Sequence, residues 1–210
     1  MITGIIEEIG TIVGKNEGII TGLIVEAGGI FDDLSTGDSI SVAGVCLTVE
    51  KIKKPVFYVS LSEETKRLTT LGKAMKGTKV NLERSLKYGD RIGGHFLYGH
   101  IDFVSRISYK KIDRETSLVR IKIPDSSMKY FVPKCSVGVD GISLTVAEVL
   151  NNEIVIWLIP YTIANTTMKD KTVGDEVNIE IDIMIKATVE NIRNFSARRY
   201  DEKINKEAIF

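Results

Sequence analysis

The chain reads Ala43-Gly44-Val45-Cys46-Leu47-Thr48-Val49 in its first half and Asp140-Gly141-Ile142-Ser143-Leu144-Thr145-Val146 in its second half. The two stretches lie 97 positions apart and share glycine, leucine, threonine and valine at matched places. The same offset relates further segments in the same order, which are residues 64–70 with 161–167 and residues 77–83 with 174–180. Because ordered matches at one spacing are not expected by chance, the chain is a tandem duplication.

Near the start of the chain the offset between the two copies is 95, which places Gly4-Ile5-Ile6 on Gly99-His100-Ile101. A two-residue difference corresponds to an insertion in a loop. We therefore assign the first unit to residues 1–88, the second unit to residues 89–184 and a tail to residues 185–210. Each unit has the size of a small domain of roughly 100 residues.

The pattern inside each unit indicates short strands separated by turns. Residues 19–25 and 56–61 are rich in β-branched and aromatic side chains, and residues 118–123 alternate apolar with polar ones. Several short strands at regular spacing predict an all-β fold with one small barrel in each unit. The turn signals between the strands are Gly28-Gly29, Gly37-Asp38, Gly77 and Asn151-Asn152.

One short helix is predicted in each unit. In the first unit, Ser62 can cap a helix that Gly72 stops. In the second unit, Pro160 suits the first turn of the equivalent helix.

The tail predicts a longer helix that Asp182 can cap. Positions Ile185, Val189, Ile192 and Ser196 lie 4, 3 and 4 apart, and Phe195 flanks the same stripe, which gives the helix one apolar face. The stripe fits packing on the barrel of the same chain, and it fits a coiled-coil-like contact between subunits equally well. The pattern leaves both alternatives open because it covers fewer than three heptads.

The composition excludes several classes of function. With 43% hydrophobic and 27% charged residues the chain resembles an ordinary soluble globular protein. Lys+Arg and Asp+Glu both number 28, whereas a general nucleic-acid binder is usually basic. No apolar run approaches the roughly 20 residues that cross a membrane. Acids as early as Glu7 and Glu8 argue against a signal peptide.

The two cysteines, Cys46 and Cys135, form neither a CxxC pair nor a disulfide framework. Together with His95 and His100 they lack the spacing of a zinc site. We therefore expect a reduced, cytoplasmic protein without a structural metal.

The most informative positions are those where the matched segments differ. Cys46 corresponds to Ser143, Ala43 to Asp140, and Ile5 to His100. The second copy thus has a hydroxyl, a carboxylate and an imidazole where the first has a thiol and apolar groups. If chemistry takes place in one pocket only, we expect the second copy to be better equipped.

Each of these residues also has a purely structural interpretation. Cys46 fits a small core residue, and threonines 48 and 145 suit strands by propensity. Asp140 before a glycine fits a turn, and His95 or His100 fits a hydrogen-bonded loop. No phosphate loop or nucleophile elbow is present in the sequence. The pattern alone therefore predicts a duplicated β-barrel with a ligand pocket.

The segments that repeat are also the ones in which the chain resembles the riboflavin synthase alpha-chain family, along nearly its full length. Together the matching residues are highly specific, although each alone is weak. They are Met1-x-Thr3-Gly4-Ile5-Ile6-Glu7, Gly44-Val45-Cys46-Leu47-Thr48-Val49, Gly93-Gly94-His95 with Gly99-His100, Gly138-Val139-Asp140-Gly141-Ile142-Ser143-Leu144-Thr145-Val146, and Leu158-Ile159-Pro160-x-Thr162.

The resemblance implies two closed, six-stranded Greek-key barrels in tandem and a C-terminal helix that helps to hold a homotrimer. It implies that each barrel binds one 6,7-dimethyl-8-ribityllumazine, and that one lumazine gives a four-carbon unit to the other. The products are riboflavin and 5-amino-6-ribitylamino-pyrimidinedione, with no metal and no organic cofactor. In the family the active site forms between the N-terminal barrel of one subunit and the C-terminal barrel of another. Association with a lumazine-synthase shell stays open.

The resemblance also implies the site residues. Proposed catalytic residues are Ser143, Thr145, Asp140, His100, Lys134, Cys46 and Ser39. Proposed substrate-binding residues are Gly4, Ile5, Ile6, Cys46, Leu47, Thr48, Ser60, Leu61, Ser62, Glu63, Glu64, Thr65, Gly99, His100, Ile101, Lys134, Ser143, Leu144, Thr145, Trp157, Leu158, Ile159, Pro160, Tyr161 and Thr162. Ser143 and Thr145 are expected to hydrogen-bond the reacting ring, and His100 to assist proton transfer. Asp140 and Lys134 are expected to orient the ligand or neighbours across the subunit interface.

Two positions depart from the family pattern. Ile2 stands where the family usually has phenylalanine, and Ala43 where it usually has asparagine. Both changes affect the first barrel and put in doubt how tightly it binds its ligand.

Two other classes of function compete with this interpretation. Lumazine proteins use the same duplicated fold to hold a chromophore as an antenna, but they tend to lose residues that this chain keeps in Ser143-Leu144-Thr145 and Gly99-His100. Oligonucleotide binding on a small barrel is disfavoured by the zero net charge and by the lack of interleaved aromatic and basic residues.

Overall fold

The computed structural model of the chain describes residues 1–16, 21–113 and 117–207, with side chains as far as residue 196. Two closed antiparallel barrels of six strands each follow one another, and a helix follows the second barrel. The first barrel contains β1 (Glu8–Asn16), β2 (Thr21–Glu26), β3 (Ser39–Val42), β4 (Val45–Lys53), β5 (Val56–Leu61) and β6 (Lys79–Arg84). The second contains β7 (Phe103–Ile112), β8 (Ser117–Lys122), β9 (Ser136–Val139), β10 (Ile142–Val149), β11 (Glu153–Leu158) and β12 (Glu176–Ile181).

The order of the strands is that of a Greek key. In the first barrel β3, β4 and β5 pair in sequence, and β6 returns to pair with β3. In the second barrel β12 returns to β9 in the same way. The predicted all-β fold and the Greek-key barrels that the resemblance implies are thus confirmed, because both barrels close without a free edge.

Alternation of side chains explains why these segments form strands. Along β8, Val119 and Ile121 are buried, while Leu118 and Arg120 are partly exposed. Each barrel therefore fills its own interior, the first around Leu23, Phe57 and Leu82 and the second around side chains such as Ile121. Register shifts that bend strands for closure occur at equivalent places in the two copies, such as β4 with β5 and β10 with β11.

The predicted strands at 56–61 and 118–123 match β5 and β8 to within one residue. Of the predicted strand 19–25, residues 21–25 lie in β2, and positions 19 and 20 lie outside the described residues.

The two short helices are α1 (Glu63–Leu68) and α2 (Pro160–Asn165). The hydroxyl of Ser62 caps α1 by accepting the N–H of Thr65, and Pro160 occupies the first position of α2, as predicted. The prediction that Gly72 stops α1 is wrong, because α1 ends at Leu68. Gly72 lies in the following turn, where a Cβ would come within 2.0 Å of the Lys66 carbonyl oxygen.

The tail forms α3 (Ile183–Glu207), which Asp182 caps through a 2.9 Å bond from the N–H of Met184. Ile185 and Val189 pack against the core of the second barrel, which confirms the first alternative for this part of the stripe. One turn further along, Ile192 and Phe195 are 61% and 62% exposed.

A pair of buried asparagines joins the two barrels. The Asn81 amide donates to the Asp140 carbonyl oxygen at 2.9 Å and accepts the N–H of Thr167 at 2.8 Å. One repeat later, Asn178 donates to the Ala43 carbonyl oxygen at 2.8 Å and accepts the N–H of Thr70 at 2.8 Å. Each barrel thus satisfies backbone groups of the other.

Replacing Asn178 with alanine should lower the free energy of unfolding by about 2 kcal/mol, because the Ala43 oxygen and the Thr70 N–H would lose their buried partner. The measurement is urea unfolding followed by circular dichroism. Asn151→Ala in an exposed turn is the control and should change stability by less than about 0.5 kcal/mol. Equal stability of the two variants would show that the asparagine bridge contributes nothing.

Candidate functional site

Two leading segments, residues 1–6 and 96–101, precede the first strand of each barrel. They pair with each other, since the N–H of Ile2 donates to the Leu97 oxygen at 2.8 Å and the N–H of Leu97 donates back at 3.1 Å. Each segment then contacts the barrel of the other repeat. Ile6 packs against the core of the second barrel, and Ile101 packs against the core of the first.

Strands β4 and β10 hold the leading segments in place. The N–H of Cys46 on β4 donates to the Gly99 oxygen at 2.9 Å, and the N–H of Ser143 on β10 donates to the Gly4 oxygen at 2.9 Å. Both glycines have positive φ, and a Cβ on either would lie 2.5 Å from the neighbouring backbone nitrogen. Only glycine fits this approach, so residues of both repeats meet at Cys46 and again at Ser143.

This exchange corrects the predicted distribution of chemical groups. His100 belongs to the second copy by sequence, but its segment contacts the first barrel beside Cys46. Gly4, the counterpart of Gly99, is bonded to Ser143 of the second barrel, and Ile5 after it is 50% exposed. The expectation that His100 and Ser143 equip one pocket is therefore wrong.

The first pocket is a cavity of about 280 Å³ at the end of the first barrel. Strand β4 contributes the half-buried thiol of Cys46, and the exchanged segment contributes His100. The hydroxyl of Ser62 lies 2.8 Å from that of Thr65 and so fixes Thr65 on the cavity wall. The remaining lining residues are Val45, Glu64, Leu68, Thr69, Gly99 and Ile101.

At the second barrel Ser143 has a partner that the prediction missed. The Ser143 hydroxyl lies 2.7 Å from Nδ1 of His95, whose backbone N–H donates to the Thr3 oxygen. Burial lowers the pKa of His95, against an opposing effect of the Asp182 carboxylate, so the ring is neutral at pH 7. Nε2 of His95 is buried without a hydrogen-bond partner among the described residues. The imidazole therefore has one bond, and that bond orients Ser143.

A sequence signal for His95 existed in Gly93-Gly94-His95. A Cβ on Gly94 would lie 2.6 Å from the Ser143 hydroxyl oxygen, so glycine lets this loop close on Ser143. Spacing along the chain does not reveal that contact, because Ser143 lies 48 positions away.

The matched segments 60–64 and 157–161 differ in polarity. The first has Ser60, Ser62 and Glu64. At the equivalent places the second has Trp157, Ile159 and Tyr161, which are 51%, 59% and 74% exposed. These three side chains give the second repeat exposed apolar surface that the first lacks.

Asp140 lies between the two barrels and opens to neither pocket. Its carboxylate accepts the N–H of Asn178 at 2.7 Å and pairs with Lys171 at 3.2 Å. Burial raises the pKa of this carboxyl group, while Lys171 opposes the rise. The predicted catalytic contact of Asp140 is therefore replaced by a structural one.

The other predicted residues fall into three groups. Ser39 is half-buried on β3, paired with Thr48 and next to the crevice that contains Cys46. Lys134 is exposed in a turn, where its N–H donates to the Val146 oxygen at 2.7 Å. Thr48 and Thr145 are exposed, whereas the side chains of leucines 47, 61, 144 and 158 fill the barrels and offer a ligand only their backbone.

Among the described residues, no cluster of three or more His, Cys, Asp or Glu could hold a metal ion. Within the same part of the chain, no helix combines the length and the apolar character needed to cross a membrane.

Comparison with known proteins gives consistent matches. The lumazine binding domain family matches residues 3–85 and again residues 98–182. The chain is 39% identical to the riboflavin synthase of Bacillus subtilis (strain 168) over 98% of this chain and 96% of that protein. It is 41% identical to the riboflavin synthase of Schizosaccharomyces pombe over 90% and 92% of the two chains. The riboflavin synthase of Escherichia coli (strain K12) is 37% identical over 95% of each.

Solved structures share the fold. LumP complexed with riboflavin superposes with a TM-score of 0.80 at 26% identity, covering 86% of this chain and 99% of LumP. LumP complexed with 6,7-dimethyl-8-(1'-D-ribityl) lumazine gives a TM-score of 0.79 at 24% identity over the same shares, a likeness of fold alone.

The two cysteines should differ in reactivity. Cys46 is half-buried on the wall of the first cavity, whereas Cys135 is buried and its burial raises the pKa of its thiol. Iodoacetamide at pH 8 should therefore alkylate Cys46 about tenfold faster or more, as measured by peptide mass spectrometry over time. The variant Cys46→Ala should lose the fast phase. A faster reaction at Cys135 would contradict the position given to the first pocket.

Proposed function

Because the chain belongs to the riboflavin synthase family, we propose that it is a riboflavin synthase that converts two molecules of 6,7-dimethyl-8-ribityllumazine into riboflavin and 5-amino-6-ribitylamino-pyrimidinedione. The observation that supports this most strongly is the duplicated barrel in which the leading segment of each repeat is bonded to the barrel of the other. A dismutation of two identical molecules needs two similar binding places with different chemical groups. The thiol and imidazole of the first pocket and the hydroxyl of the second meet that need.

The main physical task of this reaction is to hold two rings face to face. Fixing two reactants in near-attack geometry removes on the order of 7–11 kcal/mol of the barrier in favourable cases. One ribityllumazine in each pocket, brought together by assembly, achieves this without a metal or an organic cofactor.

In the first pocket the ligand contacts are Cys46, Thr48, Thr65 and His100. Thr65 and the segment around Ser62 are suited to ribityl hydroxyls, since they present oxygen atoms in a fixed arrangement. His100 is exposed and lines this cavity beside Cys46. We assign it to the proton that must leave the C7 methyl group of a lumazine.

In the second pocket we assign Ser143 and Thr145 to hydrogen bonds with a reacting ring. The neutral imidazole of His95 orients the Ser143 hydroxyl at 2.7 Å and is therefore a positioning residue. Trp157 and Tyr161 provide exposed aromatic surface next to this site. The first pocket offers no aromatic group at the equivalent places, since serine and glutamate stand there.

We place the reaction in a cytoplasmic homotrimer in which the first pocket of one subunit meets the second pocket of the next. Both cysteines are unpaired, in keeping with a reducing compartment. The exposed end of the α3 stripe, at Ile192 and Phe195, supplies apolar surface for contact between subunits. The exposed apolar surface around Trp157 is equally suited to cover by a neighbouring subunit.

A lumazine-binding antenna protein is the second candidate, because LumP has the same fold. Incubation with 6,7-dimethyl-8-ribityllumazine separates the two functions. A synthase forms riboflavin, whereas a binder changes the fluorescence of the added lumazine and forms no riboflavin.

The variants Ser143→Ala and His100→Gln should each lower kcat by about 10²-fold, since each removes a group assigned to the reacting rings. Riboflavin formation is followed by absorbance, and ligand binding is measured separately by fluorescence. Ser126→Ala, in an exposed turn, is the control and should keep full turnover. If both site variants kept full turnover with unchanged binding, these assignments would be wrong.

A further inference from the structure

Two buried carboxylates, Glu83 on β6 and Glu180 on β12, take no part in the chemistry described above. They occupy the same place in the two repeats. Glu83 Oε1 accepts the N–H of Thr3 at 2.8 Å, and Oε2 accepts the N–H of Gly4 at 3.0 Å. Glu180 Oε1 accepts the N–H of Tyr98 at 2.6 Å, and Oε2 accepts the N–H of Gly99 at 3.0 Å.

Neither carboxylate forms an ion pair within the described residues. Burial raises the pKa of each to about 7, and for Glu180 the nearby Asp102 carboxylate contributes to that rise. The next N–H along each segment, that of Ile5 and that of His100, also favours the charged form. Consecutive N–H groups around one anion form a backbone nest. Since burying an unpaired carboxylate is costly, a side chain needed only for packing would be apolar.

Each nest lies at a crossing point between the barrels. The N–H of Gly99 is held by Glu180 of the second barrel, while its carbonyl oxygen is held by Cys46 of the first. In the same way, Gly4 is held by Glu83 of the first barrel and by Ser143 of the second. Glu180 therefore fixes a segment whose next residue, His100, lines the first pocket, and Glu83 fixes a segment that is bonded to Ser143 of the second barrel.

The geometry points to Glu83 and Glu180 as positioning residues that act across the barrels: Glu180 sets His100 and Gly99 against Cys46 in the first pocket, and Glu83 sets Gly4 and Ile5 against Ser143 in the second. The role of these pockets in catalysis rests on the proposed function, but the positioning does not.

The test is the rate at which iodoacetamide alkylates Cys46 in the ligand-free full-length protein, resolved by peptide mass spectrometry. Glu180→Gln retains the shape of the side chain but replaces an acceptor with a donor that faces an N–H. It should loosen Gly99 from the Cys46 strand and raise the alkylation rate at least about threefold. Glu83→Gln is the matched control and should leave that rate within about 1.5-fold.

Of the two glutamates, Glu83 is the nearer to Cys46 along the sheet. Glu83 pairs with Ser41, which in turn pairs with Cys46. If each glutamate acted only on its own barrel, Glu83→Gln would accelerate the alkylation of Cys46 and Glu180→Gln would not. That result, or equal rates in both variants, would overturn the proposal.

Two additions keep the outcome decisive. If Glu180→Gln does not fold, Glu180→Asp retains the charge but shortens the reach, and it should give the same acceleration of Cys46 alkylation. Turnover of 6,7-dimethyl-8-ribityllumazine is measured on the same unmodified protein. If Cys46 alkylation were accelerated by Glu180→Gln and not by Glu83→Gln, but no riboflavin formed, the proposed function would be refuted and the positioning role supported.

Discussion

The hydrogen bonds from Cys46 to Gly99 and from Ser143 to Gly4 are the contacts on which both candidate sites depend. They draw each leading segment onto the barrel of the other repeat. Without them, Cys46 would lose the imidazole of His100 as a neighbour, and Ser143 would lose the backbone of Gly4. Each pocket would then be an open barrel end. Because the two bonds are equivalent by the repeat, the pockets have the same frame and different side chains.

This arrangement makes the two barrels one unit. Asn81 and Asn178 satisfy backbone groups across the contact, and Asp140, whose carbonyl oxygen accepts from Asn81, is held within the second repeat by Lys171. Buried polar groups of this kind contribute little when satisfied and cost about 1–3 kcal/mol each when one partner is removed. They therefore favour a single relative placement of the barrels more than they add stability, and that placement holds the leading segments where the pockets need them.

Much of the fold follows from local sequence. The duplication, the strands β5 and β8, the Ser62 and Asp182 caps and the place of Pro160 are encoded by neighbouring residues, and the structure contains them. The end of α1 was not predictable from Gly72, because that glycine is required by its approach to Lys66.

The candidate site was only partly predictable. Matching the copies shows that His100 corresponds to Ile5, but it does not show which barrel each residue faces, since that depends on backbone bonds between the repeats. The contact of His95 with Ser143 and the burial of Asp140 also depend on residues far apart in the chain, so the sequence did not predict them. Glu83 and Glu180 occupy matched positions in the two repeats. The match alone does not show whether such a carboxylate lies on the surface or accepts buried backbone N–H groups.

The exchange of the leading segments is tested most directly by a crystal structure with a lumazine analogue in each barrel. The account predicts that the analogue beside Cys46 and Thr65 contacts His100, and that the analogue beside Ser143 contacts Ile5. An analogue held by Ser143 and His100 of the same chain would contradict it.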